Sequence, residues 1–580
     1  MSLRLYFTFG PVQEFVSEAR KTADLWSGSY LISYLAAHAI NGALKAGATE
    51  EGFFPRITDN PLLEAVRDPL ERPGDPTHQA ASVGSLPNRF SVLARSDNEG
   101  KTLALAAKIG LDSAWRAISD ACWQYLAKRA PLETSIWNRQ IESLWETSWI
   151  VSEAPSALSE RKLMRAFAPS GEPGRKCTVC GRREELGNRK FWQPLSGKLR
   201  EGFLDPEKER LCAICLIKRT LPRVGREAFG WEVLGESFPS TPDLAADPWK
   251  REVARSERHE KAREKFSTAI GEPLEEMPGM YFFPSYHKDE DFPVEKAENL
   301  SSELPKLFEA VGSSPRTTYA ILAMDGDSMG VRLSRLDEDG RAELSKLILR
   351  FSLRVRNEVE NGEDRSRLVY AGGEDVLALL PMDRALGAAW KVRELYRNVF
   401  GEFDESHGEE LKGQPSTISA GLLYCPMTLS LRAAIKEAHR LLDEEAKEGA
   451  GRDALAIGAW KGGGEVLTVA RKWDHRRWVE ELLEMTDKEE TPYPSRFLYQ
   501  AREIVRRSDD LDLESLEKLL ALEYYGSRED RFGVEDMEEA KKRIDPLVQM
   551  SRKDGGLDPA LFRLVRFFFE EGGSPGVAQT

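Results

Sequence analysis

At 580 residues the chain exceeds the roughly 250–300 at which one hydrophobic core stops growing, so three to five domains are expected. Its 41% apolar and 31% charged residues exclude a disordered or fibrous protein, and a net charge of -14 excludes one that coats nucleic acid over its whole surface. No run of about 18 apolar residues is present to span a membrane, and MSLRLYFTFG, with its early Gly-Pro, is too short an apolar stretch for a signal peptide.

In chain order, residues 1–155 open with a strand, Leu3 to Phe9, and a helix after Gly10-Pro11. Residues 156–226 hold two CxxC pairs, Cys177/Cys180 and Cys212/Cys215. Each pair lets two thiolates from one tight turn reach the same ion, and two such turns complete a closed tetrahedral site, which points to structural zinc. The competing reading is a redox CxxC, but such pairs come singly on a thioredoxin-like fold. The 31 residues between the pairs exceed the usual spacing, so 181–211 reads as an insertion. Cys122 and Cys425 read as buried free thiols. Four of six cysteines in CxxC pairs suggest a reducing, cytoplasmic setting. Between 161 and 226 there are 17 Lys/Arg against 7 Asp/Glu, a basic island in an acidic chain. It is expected to contact RNA phosphates; the plainer reading is a solvated face beside the metal.

Residues 227–305 mix charge, proline and aromatics and read as a helical insert. Residues 306–471 carry the chemistry. A continuous β-prone run, Thr317 to Met324, has the pattern of a strand covered on both faces and ends in Asp325-Gly326-Asp327-Ser328-Met329-Gly330. An acid at a strand end, followed by small residues opening a helix, suits a metal-bound triphosphate. Next come a helix over 342–361, a strand, Gly372-Gly373-Glu374-Asp375, a strand over 376–380, and a helix from 383. A strand over 416–424, a helix from 430 closing in AKEGAGR (446–452), and a strand over 453–460 complete the unit. The order βαββαβαβ predicts a largely antiparallel sheet with helices on one face. It sets Asp325 beside the GGED hairpin. Adjacent carboxylates repel unless a cation lies between them, whereas an ordinary exposed hairpin needs no such pair. Residues 472–580 repeat apolar residues at helical spacing and read as a helical bundle, with a disordered tail from Gly573.

The strand-end DGD, the GGED hairpin, TISAG (417–421) and AKEGAGR together resemble the palm domain shared by GGDEF-type nucleotide cyclases and polymerases. LRLYFTFGPVQEF (3–15), ARKTADLWSGS (19–29) and SLPNRF (85–90) resemble the first palm of the large subunit of type III-B CRISPR (Cmr) RNA-guided effector complexes. The resemblance implies an α+β multidomain protein with two ferredoxin-like, nucleotide-cyclase-like palms, a four-cysteine zinc module and a C-terminal bundle. It implies magnesium or manganese on Asp325 and Asp375, helped by Glu374 and Asp327. It implies ATP as substrate near Gly326, Ser328, Met329, Gly330, Gly372 and Gly373, with Lys447 on the triphosphate. The first palm, with Phe9-Gly-Pro-Val where the second has Asp325-Gly-Asp-Ser, lacks acids; Ser27 and Ser29 are its candidates for another ATP site. The implied activity joins ATP into cyclic oligoadenylate when target RNA is bound, with guide RNA and the other Cmr-type subunits as partners. Two departures stand out. The seven histidines include no His-Asp pair for an HD-type phosphohydrolase, and the usual GGDD is here GGED. Two alternatives remain, a scaffold whose palm has lapsed and a free-standing diguanylate-type cyclase.

Overall fold

The computed structural model describes residues 2–68, 84–129, 134–154, 156–163, 171–187, 191–192, 204, 209–231, 238–288, 292, 294–360, 364–461, 464–486, 493–508, 511–527, 536–553 and 555–569. The chain is α+β, and among the described residues it has two large sheets. The first has strands β1 (Arg4–Gly10), β2 (Phe53–Phe54), β3 (Arg89–Leu93) and β4 (Glu146–Ser152) in the order β2-β3-β1-β4. β1 pairs antiparallel with both β3 and β4. Leu5, Phe7 and Phe9 alternate along β1 to face two helices, α1 (Thr22–Lys45) and α2 (Asp97–Ala127). The cysteine-bearing helix α3 (Ala213–Phe229) joins the same core through Ile214, Ile217 and Leu221.

The second sheet has six strands, β5 (Thr318–Gly326), β6 (Arg367–Gly372), β7 (Asp375–Pro381), β8 (Ile418–Pro426), β9 (Ala454–Trp460) and β10 (Val466–Lys472), in the order β10-β9-β8-β5-β7-β6. Only β8 and β9 run parallel. β5 is central and pairs with β7 and β8, as β1 pairs with β3 and β4. Residues 466–472 thus add a strand that the hydrophobic pattern did not reveal.

Helices cover both faces of this sheet, not the single face expected. On one face α5 (Glu338–Val359) and α6 (Met382–Ser406), which follow the short helix α4 (Met329–Arg335), share a core with the C-terminal helices. On the other lie α7 (Leu431–Arg440) and helices Thr241–Arg255, Glu260–Ile270 and Val294–Val311, joined by Ala19 and Leu25 from the N-terminal half. The cause is in β5 itself: Ala320, Leu322 and Met324 fill one core, and Tyr319, Ile321 and Ala323 fill the other. A strand apolar at every position must be buried twice. Among the described residues, the C-terminal region contains five helices between Trp478 and Phe567, with a two-stranded turn at Arg552–Lys553 and Gly556–Leu557. The tail from Gly573 lies outside the described residues. Among those described, no helix is long and apolar enough to cross a membrane.

Candidate metal and nucleotide site

Asp325 sits one residue beyond the last β5–β7 pair, Met324 with Val376, so strand register sets it beside Asp375 at the start of β7. Gly372 pairs with Asp375 across a two-residue turn of Gly373 and Glu374. Gly373 has φ +71°, which this turn requires at its first position and which a side chain would strain. Tyr370 donates its hydroxyl to the Gly372 carbonyl at 3.0 Å, and Ser352 on α5 donates to the Gly373 carbonyl at 2.8 Å. The tip is therefore held from two sides. Gly326 permits its close approach, since a Cβ there would lie 2.8 Å from Glu374 Cβ.

The Asp325 and Asp375 carboxyl groups meet as a result, with the Glu374 carboxyl close enough to act on both by its charge. Asp375 is exposed at the hairpin tip, yet enclosure of its carboxyl by the surrounding protein, then the neighbouring Asp325 carboxylate within hydrogen-bond reach and the Glu374 carboxylate, push that carboxyl above its ordinary range. Burial and Asp325 raise Glu374 as well. Two carboxyl groups in such contact share a proton unless a cation replaces it. The donor set is all hard oxygen, which suits magnesium or manganese in place of that proton.

Lys447 forms an ion pair with Asp325, and Asp443 lies 3.6 Å from its ammonium. Burial opposes its charge, but the hydrogen bond to Asp325 together with the charges of Asp325, Asp443 and Asp327 outweighs this and holds Lys447 above its usual range. The lysine comes from a π-helical segment, Leu441–Gly449, that continues α7. This wide turn, of a kind concentrated at functional sites, closes through Gly451, Arg452 and Asp453, at φ +80°, +68° and +43°.

Asp327 departs from expectation. Its Oδ1 accepts from Ser419 Oγ at 2.8 Å, and its Oδ2 accepts from Thr417 Oγ1 at 2.8 Å and from the Asp453 backbone N–H at 2.9 Å. Arg452 approaches to 3.7 Å. With both oxygens engaged by protein donors, Asp327 ties β8 and the strained turn below Lys447 to the end of β5. It is not free to ligate metal in this conformation. Ser328 caps α4 with φ +58°, Met329 is buried in the core and offers only its backbone, and Gly330 is exposed. Ser27 and Ser29 are buried inside α1 with unpaired hydroxyls, sealed from a soluble nucleotide. Sequence reasoning did not single out Ser352, Tyr370, Tyr396, Thr417, Ser419 or Arg452. The TISAG match contained Thr417 and Ser419 without revealing what they bind.

The four cysteines of the two CxxC pairs are buried, and their sulfurs all lie within 4.8 Å of one another, with Cys180 and Cys212 at 3.8 Å. Sulfurs placed about 2.3 Å from a tetrahedral ion stand about 3.8 Å apart, so the cluster can hold a metal. Backbone bonds between the two turns, Thr178 to Arg210 and Leu186 to Leu211 at 2.9 Å each, preset the geometry. Cys122 and Cys425 are buried thiols, the latter pushed up to about 12 by burial.

The basic island is partly consumed within the protein. Arg219 is buried between Asp24 and Glu209, Lys218 donates to the Phe15 and Glu18 carbonyls, and Arg182 and Arg183 pair with Glu14 and Glu18. Arg175, Lys176 and Arg226 face solvent. Arg189 and Lys190, and most of 181–211, lie outside the described residues.

The Cas10/Cmr2 second palm domain matches residues 318–456, and the N-terminal part of the CRISPR-associated protein Cmr2 matches residues 5–120. The CRISPR system Cmr subunit Cmr2 of Pyrococcus furiosus is 25% identical over 608 aligned positions, covering 88% of this chain and 67% of that protein. A type III-B Cmr-beta structure in the apo state superposes with a TM-score of 0.65 at 15% identity, over 98% of this chain and 82% of the other. A second, of Cmr-beta bound to cognate target RNA, gives 0.64 at 14%, over 98% and 83%. At such identities the structural likeness speaks for the fold alone. The sequence matches assign residues 318–456 to a palm domain similar to the second palm of Cas10/Cmr2 and residues 5–120 to a region similar to the N-terminal part of Cmr2, and the fold agrees. Along most of its length the chain is similar to the large Cmr2 subunit of the Cmr system.

Proposed function

We propose that the second palm is a nucleotidyltransferase that converts ATP to cyclic oligoadenylate within a type III CRISPR interference complex when target RNA is bound. The contact of Asp325 with Asp375 beside Lys447, with the Glu374 charge nearby, carries this reading. Asp325 and Asp375 hold magnesium or manganese, and Glu374 completes the acidic face. Such ions supply activation of the attacking 3′-hydroxyl and neutralisation of the leaving pyrophosphate. Lys447 exchanges its Asp325 partner for a triphosphate oxygen and acts as a point charge. Gly326, Gly372 and Gly373 leave room for the nucleotide at the strand ends. Asp327 keeps the Lys447 turn in place. The four-cysteine cluster holds zinc. The partners are the other Cmr-type subunits, guide RNA and target RNA, with the exposed cations of the basic island among the phosphate contacts, and the setting is the cytoplasm.

The test uses the chain assembled with its partner subunits and guide RNA, given labelled ATP and magnesium with and without target RNA. Cyclic product that depends on target RNA is expected, and Asp325→Asn with Asp375→Asn removes it. Undiminished product from that double variant overturns the assignment. No product from the natural GGED chain, with product from Glu374→Asp, marks instead a scaffold whose palm has lapsed.

A further inference from the structure

Tyr396 stands on α6 beneath the acidic hairpin. It is 1% exposed, packs edge-on against Phe351 at 5.0 Å and tilted against Phe400 at 4.5 Å, and its hydroxyl has no hydrogen-bond partner. A buried hydroxyl left unpaired carries a desolvation cost that phenylalanine in the same pocket avoids. Its surroundings suggest why a tyrosine is there. A Cβ built on Gly326 would lie 2.8 Å from Tyr396 Oη and 2.8 Å from Glu374 Cβ, with Glu374 Cγ at 3.0 Å. The phenol and the Glu374 side chain thus converge on one point over Gly326, the residue between Asp325 and Asp327. From Cβ, a glutamate carboxylate reaches one methylene further than an aspartate does, enough to bring it onto the phenol by a rotamer change.

We propose that Tyr396 is a positioning residue for Glu374: its O–H donates to the Glu374 carboxylate when the acidic cluster takes up a divalent cation. This rests on the two-metal reading of the site given above. It also gives the longer glutamate at the third hairpin position a partner of its own. The phenol touches neither metal nor nucleotide; it acts by fixing one carboxylate, as the partners of metal ligands commonly do.

Manganese titration of the purified full chain, followed by the electron paramagnetic resonance of free Mn2+, tests this beside thermal melting without metal. Tyr396→Phe is expected to weaken manganese binding about tenfold or more, while metal-free melting stays level or rises because an unpaired hydroxyl is gone. In a Glu374→Asp background the same change is expected to add little. Unaltered affinity in Tyr396→Phe, or the same fold-loss in both backgrounds, overturns the inference while leaving the metal site standing. A natural chain with no manganese site sensitive to Asp325→Asn and Asp375→Asn overturns the two-metal reading and this inference with it.

Discussion

The two palms repeat one strand order and end it differently. In the second, the central strand stops at Asp325-Gly326-Asp327 beside a hairpin carrying Asp375. In the first, register puts Phe9 where Asp325 stands and Asn88 where Asp375 stands, followed by Gly10 and a cis Pro11. The Asn88 side-chain amide donates to the Phe9 carbonyl at 2.7 Å and to Thr8 Oγ1 at 3.2 Å. The first tip therefore satisfies itself with neutral hydrogen bonds. The second gathers carboxyl groups that only a proton or a cation can reconcile. A common scaffold thus supports a closed end and an end chemically unfinished, and the unfinished one marks the site.

The largest effect is expected from making the second tip resemble the first. Asp375→Asn combined with Asp325→Asn should bring nucleotide transfer in the assembled complex below detection while assembly on guide RNA persists, as labelled ATP and gel-shift measurements would show. Next is the zinc proposed for the four-cysteine cluster in the first palm's core. Cys180→Ser should drop zinc from about one per chain toward zero and lower the melting temperature, because metal binding contributes folding energy; retained stoichiometric zinc would contradict the four-thiolate site.

A smaller effect separates the two acids of Asp325-Gly-Asp327. Asp327→Ala leaves the Thr417, Ser419 and Asp453 donors unpaired, which should cost about 1–3 kcal/mol in denaturant unfolding. Manganese stoichiometry should be unchanged, whereas loss of a bound ion would make Asp327 a ligand after all. The smallest effect is on pH. Asp375 and Glu374 hold their protons more tightly folded than unfolded. Their contribution to metal-free stability is therefore full below the ordinary carboxyl range and is lost as pH rises through the elevated folded values. Melting curves of the metal-free chain should decline over that interval, and Asp375→Asn or added magnesium should flatten the slope.

Much of this was legible in the residues. A strand apolar at every position announced β5, the two glycines before Glu374 and Asp375 announced a hairpin, and paired CxxC turns announced a sulfur cluster. The obscure parts depend on groups that arrive from far along the chain. Whether Asp327 faces the cleft or the protein is decided by hydroxyls some 90 residues away, on and just before β8. That β10 extends the sheet, and that a second layer of helices covers it, follows from partners no local period encodes. Tyr396 reads as one more apolar position of α6; only its unpaired hydroxyl under Gly326 distinguishes it. The basic island misleads for the opposite reason, since charge counted along the sequence ignores that Lys218 and Arg219 are spent inside the fold.

The most direct measurement is anomalous diffraction from crystals of the chain soaked with manganese and a non-hydrolysable ATP analogue. Peaks between Asp325 and Asp375, with none beside Phe9 and Asn88, are the predicted result. Anomalous density at the first tip, or an ordered nucleotide in the second palm with no metal on Asp325 and Asp375, would contradict it.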